Sequence, residues 1–462
     1  MQIFGITENL DIYIASNTIN LIIIGVSTGA LNYAITPIFL KYYKNRRLKT
    51  FQNLANSLVN ILLIIFVFLA VIQSYFSQEI TSIIFPGYID KQNVLLSEMF
   101  AMQAFISIFS ILIGVLNAIN YTFNKLYRTV LVPIVSSSLQ ILFVYFTYKD
   151  LGIFSLVYAL GLNQLIIFII LGSFYFKFYQ FKIKSNKVLK KSLSKMYPLI
   201  ISSTFSKSDV LVDRYFASML MAGSISLLYY GQLIIGVITT IVNNGISLVS
   251  LRKFSSIENN AQEFNEYFIN LYRIMLIVTM FFVIQIVISS DYLLSEFLSG
   301  DKFSPKKLNI LYIIILSFLG VFVGGILTSV LVNAFYAKGE TVLISRMSIK
   351  LHIIGIVFKI IFYKLYGFYA LAVVMSVKSL VNSVLLVYLY NIKIYRIKFR
   401  SFLYLFINVV AFSTLIIVTS LYFKYLDINI FLIMLFSSLT YILYYFNYIK
   451  KMQRTSQSIH SQ

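Results

Sequence analysis

Residues 206–252 read SKSDVLVDRYFASMLMAGSISLLYYGQLIIGVITTIVNNGISLVSLR. The first part places Lys207, Asp209, Asp213 and Arg214 in an apolar context, Ala222-Gly223-Ser224 supplies a small-residue turn, and a second long apolar helix runs on to Arg252-Lys253. A charge at bilayer depth costs about 3 kcal/mol or more, so it is tolerated where it faces a watery cavity or a partner inside a helix bundle. Four such charges close together mark a polar path through a membrane protein.

The rest of the chain agrees with that class. Hydrophobic residues make up 59% and charged residues 12% of the 462 positions, with mean hydropathy +0.85, which is far more apolar than a soluble protein. No cysteine is present, so disulfides and thiolate metal sites are excluded. His352 and His460 form no spaced ligand set for zinc. There is no Walker-type phosphate loop, nucleophile elbow or HExxH pattern, and nothing in the chain reads as an enzyme.

The formal charge of +22 is topological rather than a nucleic-acid signal. Thirteen apolar stretches are long enough to span a bilayer: 11–40, 54–75, 98–123, 129–148, 151–176, 196–220, 225–251, 268–289, 308–336, 342–363, 367–391, 401–423 and 428–449. Alternate connections hold Lys41 to Lys49, Lys125 and Arg128, the seven lysines between Lys177 and Lys195, Arg252 and Lys253, Lys338 to Lys350, Lys393 to Arg400, and Lys450 to Arg454. The intervening loops carry Glu79, Asp90, Asp150, Asp291, Glu296, Asp301 and Asp427 with fewer lysines. The positive-inside rule puts the basic set and the C-terminus in the cytoplasm of a bacterial inner membrane, with attraction to anionic lipid as a secondary effect.

The fold class expected is an all-α polytopic membrane protein of two pseudo-repeated helical lobes with two further C-terminal helices. The long basic connection divides it into an N-terminal lobe 1–177, a C-terminal lobe 178–392, two more spans at 393–450 and a cytoplasmic tail 451–462. A weak repeat sets Phe4-Gly5 through Asp11-Ile12-Tyr13 against Leu220-Met221 through Leu227-Leu228-Tyr229. Transporters built from repeats place the substrate site where the repeats meet.

VDRYFASMLMAGSISLLYYGQLI, with FGITENLDIYIAS near the start, IIFPGYID at 83–90, GVLNAINYTFNKLYRTVLVPIV at 114–135 and AFYAKGETVLISRM at 334–347, resembles the MurJ/MviN family of flippases, part of the multidrug/oligosaccharidyl-lipid/polysaccharide exporter superfamily. The likeness runs through nearly the whole chain in order. It implies a two-lobed bundle around a central cavity that turns a polyprenyl-pyrophosphate-linked sugar from the inner to the outer leaflet by alternating access. Family members carry cavity arginines on their second and eighth helices; the corresponding stretches here read Asn20-Leu-Ile-Ile-Ile-Gly25 and Tyr230-Gly-Gln-Leu-Ile-Ile235. Pyrophosphate is normally held by Arg, Lys or backbone donors. Their absence shifts the first reading of the cargo to a capsule, O-antigen or similar envelope repeat unit, with lipid II as the alternative. The family also begins with a further helix, so the natural product is expected to carry one more span upstream of Met1.

At 100° per residue Lys207 and Arg214 fall within about 20° of each other, and Asp209 and Asp213 form a separate pair. One reading makes Lys207 and Arg214 ligands of the lipid phosphate, with Asp209 or Asp213 binding a coupling cation or a sugar hydroxyl. The other makes them ion pairs inside the bundle, with Arg214 snorkelling outward. Gln232 and Asn243 are the next substrate-binding candidates, weighed with Asn244 against interhelical glue. Asn17, Asn20, Asn32, Asn117, Asn120, Asn163 and Gln164 have the same ambiguity. Gly25 to Gly29 and Gly320 to Gly324 read as close helix contacts in preference to hinges, Lys359 and Lys378 as snorkelling lysines in preference to the lining of a lipid-tail groove between late helices, and the 35 Tyr and 42 Phe as interfacial belt and lipid-facing bulk.

Three functional classes follow: a glycolipid flippase, a cation-coupled drug or metabolite exporter using Asp209 and Asp213, and a scaffold in an envelope assembly complex. The expected partners are a polyprenyl-linked glycan lipid and membrane lipids, with a glycan polymerase or envelope assembly proteins beyond them, and no nucleic acid. No cofactor is expected other than a coupling cation.

Overall fold

A computed structural model describes residues 3–26, 32–184, 187–298, 303–396 and 399–460. Its chain order is α1 (Glu8–Ser16), α2 (Thr18–Val26), α3 (Asn32–Lys44), α4 (Leu48–Tyr75), α5 (Ser77–Ile84), α6 (Asp90–Thr122), α7 (Leu126–Leu151), α8 (Phe154–Gly172), α9 (Lys187–Ser218), α10 (Ser224–Ser256), α11 (Ala261–Phe297), α12 (Pro305–Ser317), α13 (Leu319–Ala337), α14 (Thr341–Tyr366), α15 (Phe368–Lys393), α16 (Phe399–Tyr425) and α17 (Ile430–His460). No strand occurs among the described residues. In lipid a spanning segment must satisfy its backbone internally, which the helix alone does without a partner strand.

Every stretch expected to span is mostly helical over its described residues, and ten helical segments among the described residues are long and apolar enough to cross a membrane. The boundaries differ in two places. The stretch 11–40 breaks at Asn17, the C-cap that closes α1 at Ser16 before α2 begins. The stretch 308–336 breaks at Phe318, which closes α12 and opens α13. Asn17 is a poor helix former that caps well, whereas the break at Phe318 has no such signal. The exposed tyrosines Tyr75, Tyr366 and Tyr425 are the last residues of α4, α14 and α16, where interfacial aromatic anchors belong.

The chain forms two compact units that divide between Ser226 and Leu227. In the first unit α6 is central, packing against α1 through α5, α7 and α8, and α9 lies on α2, α3 and α4. Phe39, Phe51, Leu58, Ile111, Leu116 and Ile119 are among its buried core. The charged helix therefore belongs by packing to the unit that precedes it. In the second unit α13 packs on α15 and α14 on α15, while α11 carries α16 and α17. Gly320 and Gly324 let α13 meet α15 closely: an added Cβ at Gly324 would stand 2.5 Å from the Ser379 carbonyl carbon. That is the close contact their spacing suggests.

Most of the buried amides are helix-joining groups. Asn20 Nδ2 donates to Asn17 Oδ1 at 3.1 Å and Asn20 Oδ1 accepts from Ser110 Oγ at 3.2 Å. Asn120 Nδ2 donates to the Leu171 carbonyl at 3.0 Å and Asn163 Nδ2 to Gln140 Oε1 at 2.9 Å. Residues Gly29, Asp301, Lys302 and Lys398 lie outside the described residues, as do the side chains of Asn32, Lys187, Lys191, Lys195, Asn244, Arg400, Lys450, Lys451 and Arg454.

Candidate functional site

Arg214 is buried in α9, and its Nη1 donates to the Ile14 carbonyl oxygen at 2.7 Å and to Thr18 Oγ1 at 2.8 Å. Ile14 lies in the last turn of α1, where carbonyl oxygens lack an intrahelical donor. Thr18 Oγ1 donates to the Ala15 carbonyl at 2.6 Å, so one guanidinium closes the junction of α1 and α2. Arg214 therefore does not snorkel outward. Its several donors in a fixed fork suit it to this duty better than an ammonium.

Lys207 stands two turns earlier on the same face, as the 100° arithmetic requires. It is exposed, and its aliphatic stem crosses α2 at Gly25, where an added Cβ would lie 2.9 Å from Lys207 Cε. With Arg214 at residues 14–18 and Lys207 at residue 25, α9 runs antiparallel to α1 and α2. The small residue admits the lysine stem, and the ammonium remains accessible.

Asp209 and Asp213 are both buried, 3% and 2% exposed. Desolvating a carboxylate to that degree demands compensating contacts, so these two acids sit in the packed interior while Lys207 does not. The structure thus brings Lys207 and Arg214 onto one helix face and separates them in exposure.

A residue that sequence reasoning passed over completes this unit. Asp11 of α1 is 2% exposed. Its Oδ2 accepts from the Gly223 N–H at 2.6 Å, and its Oδ1 accepts from the Ser226 N–H at 2.6 Å and from the Ser226 hydroxyl. The carboxylate thus caps the first turn of α10, taking donors that have no acceptor within the helix and favoured by the helix dipole. Gly223 holds φ +94° beside Ile6, a conformation that suits glycine. Nearby, burial pushes the Tyr88 phenol upward, helped by the Asp11 and Glu8 charges, and Gln92 bonds Glu8. The available signal was that Asp11 is the one acid inside the stretch 11–40.

The remaining candidates lie in the second unit. Gln232 of α10 is half-buried with its Nε2 3.8 Å from Met375 Sδ, and Asn243 Oδ1 accepts from Ser329 Oγ at 2.7 Å. Lys359 is fully buried, and Lys378 meets His352 Nδ1 at 3.1 Å with its stem over Gly355. Neither of these lysines reads as snorkelling: Lys359 is buried throughout, and the Lys378 stem lies on α14 at Gly355. No group of three or more metal-ligating side chains occurs among the described residues.

Comparison with known proteins adds the lineage. The family model described as lipid II flippase MurJ matches residues 1–441. A probable lipid II flippase MurJ of Buchnera aphidicola subsp. Schizaphis graminum is 28% identical over 463 positions, covering 91% of this chain and 85% of its own. Its counterpart from Buchnera aphidicola subsp. Acyrthosiphon pisum is 25% identical, covering 90% and 84%. A solved structure of lipid II flippase MurJ in an inward closed conformation superposes with TM-score 0.82 at 20% identity over 97% of this chain and 95% of its own. An inward-facing multidrug resistance MATE family transporter of the MOP superfamily reaches TM-score 0.70 at 13% identity, covering 85% and 92%. At these identities the two structures speak for the fold alone.

Proposed function

The chain belongs to the lipid II flippase MurJ family, and from that premise we propose that it carries lipid II from the inner to the outer leaflet of a bacterial inner membrane by alternating access. It moves a lipid without breaking a bond, and so is a transporter and not an enzyme. The observation that carries the reading is the extent of the family match, residues 1–441, which takes in every candidate side chain described above. Capsule or O-antigen units came first in the sequence reading because two arginine positions are empty of arginine. Lipid II displaces them because the named relatives are lipid II flippases and because Lys207 offers a cation elsewhere.

Lys207 is the residue we assign to the lipid pyrophosphate: an exposed ammonium suits a localised anion. Arg214 is a positioning residue that holds α9 against the α1–α2 junction. Asp209 and Asp213 are the acids we assign to a coupling cation, and Gln232 and Asn243 the amides we assign to sugar hydroxyls. The basic loops and the C-terminus face the cytoplasm under the positive-inside rule, where the precursor is loaded.

The test is complementation of a strain depleted of its own lipid II flippase. The wild-type chain restores growth and prevents lipid II from accumulating in the inner leaflet, and Lys207→Ala inserts normally and fails to do either. If the wild-type chain leaves lipid II trapped but restores export of a capsule or O-antigen unit in the matching mutant, the cargo is that glycan lipid. If Lys207→Ala complements fully, the assignment of Lys207 is wrong while the cargo stands.

A further inference from the structure

A cavity of about 150 Å³ opens among α4, α6 and α8, lined by Val59, Leu63, Leu112, Leu116, Phe168 and Phe176. These six side chains are apolar, and the two tyrosines that complete the lining turn their hydroxyls to Asn56 and Asn60, so the cavity suits an apolar group; one of this size takes something like a benzene ring or the equivalent length of hydrocarbon.

The segment that follows α8 runs from this cavity onto α4. Tyr175 and Tyr179 line the cavity and donate to Asn56 Oδ1 and Asn60 Oδ1, each at 2.7 Å. Asn60 Nδ2 donates to the carbonyl oxygens of Gln180 at 3.1 Å and Lys182 at 3.3 Å, and the Lys184 N–H donates to Ser57 Oγ at 3.0 Å. These bonds pin the backbone within a turn of the cavity walls at Val59 and Leu63. The side chains of Lys177, Lys182 and Lys184 are exposed. Lys125 stands over the Phe174 ring at 3.7 Å, and Arg128 bonds Ser173 at 3.2 Å, at the same end of α8.

No carboxylate answers this positive rim from the sequence around it. Between Glu98 and Asp209 the chain contains a single acid, Asp150, at the far end of α7 from Arg128. An apolar slot beside an unbalanced cationic rim, in a helix bundle that crosses a bilayer, matches an amphiphile with a negatively charged head.

We propose that this cavity and the Lys177–Lys184 strap form a binding site for an anionic glycerophospholipid, one acyl chain entering between α4 and α8 and its phosphate meeting Lys177, Lys182 and Lys184. The site lies within the first unit and does not depend on which lipid the protein transports.

The chain has no tryptophan, so Phe176→Trp in the full-length protein places one reporter at the cavity, and Phe68→Trp, on the exposed face of α4, is the control. Both proteins are reconstituted in phosphatidylcholine vesicles containing a minor fraction of phosphatidylglycerol brominated on its acyl chains. The expected result is stronger quenching at position 176 than at 68. Replacing Lys177, Lys182 and Lys184 with Ala should lower the preference at 176 for brominated phosphatidylglycerol over brominated phosphatidylcholine, by about five-fold per lysine at low salt. Equal quenching at the two positions, or a headgroup preference that survives loss of all three lysines, overturns the proposal and leaves only the ordinary lipid annulus. Because all three lysine side chains are exposed, a melting temperature equal to wild type shows that the fold is not the cause.

Discussion

Asp11 holds Ser226 at two points: one carboxylate oxygen accepts both the backbone N–H of Ser226, at 2.6 Å, and its hydroxyl. With the second oxygen on the Gly223 N–H at 2.6 Å, the acid of α1 serves as the cap of α10, two hundred residues along the chain. Asp11→Ala leaves two buried backbone donors without an acceptor, at about 1–3 kcal/mol each. Thermal unfolding in detergent should show a drop of at least about 2 kcal/mol for Asp11→Ala. Ser226→Ala, which loses only the hydroxyl bond, should cost about 1 kcal/mol. Equal losses would mean that the backbone contacts contribute nothing.

Arg214 and Lys207 should separate in their effects. Arg214→Ala removes both bonds to the α1–α2 junction from a buried position, with an expected cost of about 2–3 kcal/mol. Lys207→Ala removes an exposed ammonium and should leave the melting temperature unchanged while transport of lipid II into the outer leaflet is lost. Measuring the melt and the transport of both variants gives a crossed pattern. A Lys207→Ala protein that melts early would show instead that the lysine stem on Gly25 is structural.

Helices, class and lineage were legible because each has a local signal: apolar length, the alternation of Lys and Arg between loops, and motif order. The 100° rule placed Lys207 and Arg214 on one face correctly, since both now lie along α1 and α2. Exposure was not legible. Whether Arg214 is buried depends on the Ile14 carbonyl and Thr18, which are distant in sequence, so its outward snorkelling was an error of context and not of periodicity. Lys359 and Lys378 failed for the same reason. Asp11 stands in the sequence only as part of the weak repeat, because its acceptor role exists only once Gly223 and Ser226 are brought to it.

The packing of α13 on α15 can be tested with two glycines in the second unit. Gly324→Ala would push a methyl group to 2.5 Å from the Ser379 carbonyl carbon, which forces the helices apart at about 1–3 kcal/mol. Gly236, inside α10, has nothing within 4 Å of an added Cβ. Gly236→Ala should therefore be neutral or stabilising by about 0.5–1 kcal/mol, since alanine is the better helix former. Melting curves of the two variants should move in opposite directions, and a Gly324→Ala protein as stable as wild type would rule out the close contact.

The strap across α4 makes the last prediction. Asn60 meets three partners, accepting from the Tyr179 hydroxyl at 2.7 Å and donating to the carbonyls of Gln180 and Lys182 at 3.1 and 3.3 Å. Asn60→Leu keeps the volume near native and removes all of them, while the Lys184 N–H keeps its bond to Ser57 Oγ at 3.0 Å. Exposed backbone released from such bonds opens at low free energy and becomes available to protease. Trypsin should therefore cut after Lys182 and Lys184 at least about ten-fold faster in Asn60→Leu than in wild type, which corresponds to about 1.4 kcal/mol of lost local stability. Sites on other basic connections, such as Lys253, should be cut at unchanged rates. Acceleration at every site would point to global destabilisation, and none at all would show that Asn60 does not hold the strap.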